Sequence, residues 1–170
     1  MKIIDVIPTL YRIPLPVVLS DSTHGDISHF ELITVRIHTD AGIEGTGYAF
    51  TPGTGGSSVH AILAHDLREQ LIGRDPRCIE KLWEHMWWHL HFVGRGGSVV
   101  FAISAIDIAL WDIKGKSENE PWWRLLGGHD NRIRAYAGGV DLYFTLDDLI
   151  AQAERFLSEG FRAIKMKIGR

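Results

Sequence analysis

Residues 145–168 read TLDDLIAQAERFLSEGFRAIKMKI, and this stretch decides the fold. Thr145 followed three residues later by Asp148 has the form of a capping box, with Asp in place of the usual Glu or Gln. Leu146, Leu149, Ile150, Ala153, Phe156 and Leu157 then recur at helical spacing, and Gly160 stops the helix. Phe161 to Ile168 returns as a strand. Just upstream, Arg132 to Ala137 reads as a short strand and Gly138-Gly139 as a turn. Strand, helix and strand make one βαβ unit, the repeat of a parallel barrel or a doubly wound sheet.

The first 130 residues follow a different grammar. Lys2 to Ile13 is β-rich, and Pro14 and Pro16 are expected to break it. Glu31 to Thr39 alternates, with Ile33, Val35 and Ile37 on one face and Thr34, Arg36 and His38 on the other, the period of a half-buried strand. Asp40-Ala41-Gly42 turns the chain, and Ile43 to Phe50 completes an antiparallel meander. Two polar loops flank these strands, Ser20 to Ser28 and Thr51 to Ser57. From Ser58 to Leu126 the pattern is helical. One stripe is Ile62, Leu63, Leu67, Leu71 and Ile72; a second is Ile79, Leu82, Trp83, Met86, Trp87 and Leu90. The third helix, Ser98 to Lys116, has Ser98 as its expected N-cap. Strands followed by helices indicate an α+β domain.

Composition bounds the function. The chain has 170 residues, 18 Lys+Arg against 21 Asp+Glu and a net charge of −3. This near-neutral balance argues against a nucleic-acid partner. No apolar run reaches the roughly 18 residues of a membrane span. An acid at Asp5 sits where a signal peptide would be apolar. The single cysteine, Cys78, forms no intrachain disulfide. A cytoplasmic location is the expectation. The length is too short for a complete (β/α)₈ barrel, which takes roughly 200–250 residues.

In the last strand side chains alternate. Ile164, Met166 and Ile168 share the face expected to pack on the helix, and Lys165 and Lys167 share the other. In a barrel that second face is the interior near the catalytic rim. Two ammonium groups about 7 Å apart repel by roughly 2.4 kcal/mol at an effective dielectric near 20. Such repulsion disfavours the doubly charged pair, the condition under which one lysine serves as a general base. An exposed basic edge strand is the other reading of Lys-x-Lys taken alone.

The third helix discriminates between them. Residues 102–116 read AISAIDIALWDIKGK, four residues follow, and then come Pro121 and Leu125-Leu126-Gly127. This resembles the N-terminal signature of the mandelate racemase/muconate lactonizing enzyme family of the enolase superfamily. Trp122 departs from it, standing where the family has an aliphatic residue. The order of parts also fits: meander, helical bundle, signature, Lys-x-Lys. The resemblance implies an α+β capping domain over residues 1–130, an antiparallel meander plus helical bundle. The first βαβ unit of an incomplete (β/α) barrel would follow at 131–170, cut off after the second barrel strand.

It also implies a chemistry, in which a base removes the proton α to a carboxylate. Lys167 would be that base, and Lys165 would favour its neutral form and help neutralise the substrate carboxylate. The family's Mg²⁺ is held by carboxylates on the third to fifth barrel strands, so its ligands are expected to be absent from this chain. The two polar loops match the family's substrate-selecting capping loops. Ser22, Thr23, His24 and Asp26 from the first, and Thr51 and Thr54 from the second, are expected at the substrate, with Phe50 as a pocket wall or core residue. The implied substrate is a small carboxylate such as an acid sugar, and the implied partner a second copy of the chain. The Val93 to Gly97 run resembles the acid-sugar dehydratase branch; racemase, cycloisomerase and dipeptide epimerase chemistry are the alternatives. With a base but no metal carboxylates, the 170-residue chain alone is expected to be inactive. A non-catalytic remnant or binding module built on the capping domain is the competing class.

Elsewhere the signals are weaker. His85 and His89 stand four apart, but Met86 fills the second position, so no His-Glu-x-x-His forms, and packing or surface roles are expected. Gly45-Thr46-Gly47 and Gly94 to Gly97 read as backbone turns. Asp107 and Asp112 belong to the signature helix and are read as structural.

Overall fold

A computed structural model of the chain describes residues 1–139 and 141–168. In chain order the elements are β1 (Ile3–Asp21), β2 (Gly25–Thr39), β3 (Glu44–Thr51), α1 (Gly56–Ala61), a π-helical segment (Ile62–Leu67) and α2 (Arg68–Leu71). They continue as α3 (Ile79–Leu90), α4 (Ser98–Glu118), α5 (Trp122–Leu125), β4 (Ala137–Gly138), α6 (Leu146–Ser158) and β5 (Ile164–Lys165). The strands form a three-stranded sheet in the order β1-β2-β3 and a parallel pair β4-β5. Meander, helices and one βαβ unit are the architecture expected.

The described chain packs as two compact units. One joins Met1–Ile13 to Phe30–His129; the other joins Pro14–His29 to the chain from Asp130 onward.

In the first unit the alternation in β2 does what its period requires. Ile33, Val35 and Ile37 are fully buried, and β2 pairs antiparallel with β3, Ile33 opposite Ala49, Val35 opposite Gly47 and Ile37 opposite Gly45. The inner face of β3 is therefore Gly45, Gly47 and Ala49. Gly45 and Gly47 are not turns but strand residues against which α4 lies. A Cβ on Gly47 would collide with the Ala105 carbonyl oxygen and lie 2.7 Å from the Ala109 nitrogen. The helix answers with its own small residues: Ala102, Ala105 and Ala109 are buried together with Ile103, Ile106, Leu110 and Ile113.

Val59, Leu63, Leu67 and Leu71 are all fully buried at a constant spacing of four. On an ideal α-helix that spacing drifts about 40° per step. The wider turn of the π segment counters the drift and keeps the stripe on the core, so the expected single helix is three joined pieces. Asp112 Oδ2 accepts the Thr46 N–H at 2.8 Å and the Lys116 ammonium at 2.7 Å, while Lys116 also donates to the Glu44 carbonyl. Those signature residues fasten α4 to β3. Trp122 lies over Gly115, 3.0 Å from where a Cβ would stand, so the departure from the family signature is met by local packing.

Several expectations are corrected. Pro14 and Pro16 do not break β1, because β1 is an edge strand and an edge has positions that need no N–H donor. The loop Ser20 to Ser28 is the end of a hairpin whose turn is only Ser22, Thr23 and His24. The N-cap of α4 is Gly97, at φ 55°, and Ser98 Oγ instead bonds Ser58 Oγ at 2.7 Å. Gly138 lies in β4 rather than in a turn, and β4 starts only at Ala137. β5 is two residues instead of eight, pairing Ala137↔Ile164 and Gly138↔Lys165 among the described residues. The apolar face of that segment is not covered: Met166 is 45 % and Ile168 86 % exposed. The capping box is as read. Thr145 Oγ1 accepts the Asp148 N–H at 3.2 Å, and Asp148 Oδ2 accepts the Thr145 N–H.

Candidate active site

Lys165 and Lys167 are exposed residues at the end of the chain's βαβ unit. The Lys165 carbonyl accepts the Gly139 N–H at 2.7 Å, a rung between the two chain segments. The Lys167 N–H is held differently. It donates to Oδ1 of Asp141, a residue just past β4 that is 2 % exposed, at 3.0 Å.

The same unit contains the first polar loop, at the tip of the β1–β2 hairpin. Asp21 Oδ1 accepts the Thr23 and His24 N–H groups at 2.9 and 2.7 Å, and the His24 ring nitrogen lies 3.0 Å from Oδ2. Those bonds, the His24 backbone N–H foremost, hold the Asp21 carboxyl far below the usual carboxylate range. They close the turn on a fixed geometry and leave Ser22, Thr23, His24 and Asp26 exposed around it. Next to Asp21, Ser20 is buried and forms an isolated parallel bridge with Asp141.

The remaining loop residues belong to the first unit. Thr51 is buried and its hydroxyl donates to Glu31 Oε2 at 2.8 Å; the same oxygen accepts the Gly56 N–H at 2.8 Å. Glu31 thus pins both ends of the segment that carries exposed Thr54. Phe50 is not core: it is 57 % exposed and meets Phe30 edge-to-face with centroids 5.9 Å apart. The structure thus places four of the seven loop residues in one unit with the lysine pair, and Phe50, Thr51 and Thr54 in the other. Sequence reasoning missed Ser20 and Asp141. Neither lies in a motif, and the glycines before Asp141 pointed to a turn.

Among the described residues no group of three or more His, Cys, Asp or Glu is placed to hold a metal ion. His85 Nε2 pairs with Gln70 Oε1 at 3.1 Å, and burial lowers its pKa from the ordinary value. Also among the described residues, no helix is long and apolar enough to cross a membrane.

The family model for the N-terminal domain of mandelate racemase / muconate lactonizing enzyme matches residues 3–127. The chain belongs to that family. It is 55 % identical over 161 residues to the 3,6-anhydro-alpha-L-galactonate cycloisomerase of Streptomyces coelicolor, covering 95 % of this chain and 45 % of the relative. It is 34 % identical to the L-talarate/galactarate dehydratase of Salmonella typhimurium over 84 % of this chain and 36 % of that one. Among solved structures, a racemase from Streptomyces coelicolor A3(2) with bound magnesium superposes with a TM-score of 0.97 at 54 % identity, over 99 % of this chain and 47 % of the other. The Salmonella dehydratase liganded with Mg and L-lyxarohydroxamate gives 0.92 at 30 % identity, over 99 % and 44 %. The chain therefore spans less than half the length of these relatives. Magnesium is a feature of those two structures.

Proposed function

We propose that this chain supplies the general base and the substrate-selecting loops of an enzyme that abstracts the proton α to the carboxylate of an acid sugar. The observation that carries the reading is the Lys-x-Lys strand end sharing one compact unit with the hairpin tip, in a family where relatives act on or bind sugar acids. In the proposed step the Lys167 amine takes the α-proton, its lone pair forming the new N–H bond. The C–H electron pair moves into the enolate of the carboxylate. Lys165, on the same face, opposes the negative charge that grows on the carboxylate oxygens. Ser22, Thr23, His24 and Asp26 offer hydroxyl, imidazole and carboxylate groups to the substrate's hydroxyls. Phe50, Thr51 and Thr54 of the second polar loop are further candidates for substrate contact.

The metal-ligating residues of the chemistry are not assembled among the described residues, so the 170-residue chain alone is expected not to turn over. After proton loss, β-elimination of water is the leading outcome. Cycloisomerisation is the second reading, favoured by the 55 % identity to a cycloisomerase. The test is a chimera in which these residues replace the matching portion of the Streptomyces coelicolor relative. It is offered a panel of sugar acids and an anhydro sugar acid, with products read by NMR. A 2-keto-3-deoxy acid lighter than its substrate by a water supports dehydration, a ring-opened isomer of the anhydro sugar acid supports cycloisomerisation, and no turnover of any substrate overturns the proposal.

A further inference from the structure

Asp141 is a buried carboxylate without a part in the proton transfer, yet it touches both halves of the second unit's chemistry. Its Oδ1 accepts the Lys167 backbone N–H at 3.0 Å, beyond the described β4-β5 pairs. A side-chain oxygen thus stands where a neighbouring strand's carbonyl would accept. Its backbone bridges Ser20, the residue before Asp21, and Asp21 closes the hairpin turn. Gly139 makes the arrangement possible, because a Cβ there would collide with Asp141 Oδ2 and lie 2.7 Å from Gln152 Oε1. Among the described residues, Asp141 Oδ2 and Ser20 Oγ are buried with no hydrogen-bond partner. Burying unpaired polar atoms is costly, and here it happens where the hairpin meets the lysine strand.

We propose that Asp141 is a positioning residue that ties the Lys167 backbone and the tip of the β1–β2 hairpin into one cooperative unit. The place of the base is then set together with that of the loop bearing Ser22, Thr23, His24 and Asp26. The proposal rests on the reading of Lys167 as the base, but its test does not use turnover.

The test is amide hydrogen exchange on the ¹⁵N-labelled 170-residue chain. In Asp141→Ala the Lys167, Thr23 and His24 amides exchange together about tenfold faster or more, the effect of losing a charge-assisted bond. Leu63 and Leu110 of the first unit keep their rates. Asp141→Asn retains an oxygen at the same place and restores most of the protection. Its Lys167 amide proton resonance moves upfield because the acceptor has lost its charge. Asp21→Ala, which opens the turn with Asp141 intact, also speeds exchange at Lys167. If Asp141→Ala unfolds the second unit, the other two variants carry the test. Unchanged Lys167 exchange in Asp141→Ala, a Lys167 resonance unmoved in Asp141→Asn, or Lys167 indifferent to Asp21→Ala would each overturn the coupling. A failure of the base reading would show separately, as α-proton exchange that survives loss of the Lys167 amine.

Discussion

The two units differ in how completely they bury what they are made of. In the first, a continuous core runs from Ile33, Val35 and Ile37 through Leu63 and Leu67 to Ile106 and Leu110, all fully buried. In the second, no residue of α6 is buried, although the helix is amphipathic by sequence. Ile133 is 95 % exposed. The first unit is thus a finished scaffold, while the second carries the lysine pair and the hairpin on a sheet of two short strands. Amphipathic sequence makes a helix and a strand locally; it does not supply the layers that would cover them.

The sharpest way to break this contrast is to attack the close approach of β3 and α4. Gly47→Val puts a side chain into the α4 backbone, and we expect a loss on the order of 4–5 kcal/mol, read by denaturant unfolding. A stable Gly47→Val protein would mean that the tight contact is not what organises the first unit. Next in size is a matched pair of truncations. Leu110→Ala should cost about 3 kcal/mol, whereas Leu157→Ala, half-exposed on α6, should stay within about 0.5 kcal/mol. Equal costs would show that the second unit has a core of its own.

Smaller effects come from charge. Burial and then the nearby Glu80 raise the Asp107 carboxyl above its ordinary value of 3.8. A group with a raised folded-state pKa holds its proton more tightly when folded, so the stability tied to that proton is present in acid and lost as pH rises through the folded value. Asp107→Asn should therefore raise the melting temperature at neutral pH, and the gain should vanish as pH falls below 3.8; a gain that persists in acid would assign it to packing. Asp21 has the opposite sign, its carboxyl lying well below 3.8. Its contribution is full above about pH 4 and is lost as pH falls through the folded value. The His24 amide shift should therefore stay constant through mild acid, and movement near pH 4 would contradict the closed turn.

Much of this was legible from residues. The period of two in β2, the Thr145–Asp148 box and the signature helix each state a local rule that the structure obeys. What was not legible depends on neighbours that no local rule names. Pro14 and Pro16 sit comfortably only because β1 is an edge. Gly45 and Gly47 look like turn residues until α4 is laid against them. Asp141 gains its place from a backbone N–H 26 residues away, which no spacing within a motif could show.

We propose Lys167 as the base of α-proton abstraction, and this role is open to direct measurement. It is tested most directly by α-deuterium incorporation into a sugar acid in D₂O, followed by NMR. The chimera with the Streptomyces coelicolor relative should exchange the α-proton, and Lys167→Met should slow that exchange by about 10²–10⁴-fold. The 170-residue chain alone should leave the α-proton untouched. Exchange by the chimera that is indifferent to Lys167→Met, or exchange by the isolated chain, would contradict the account.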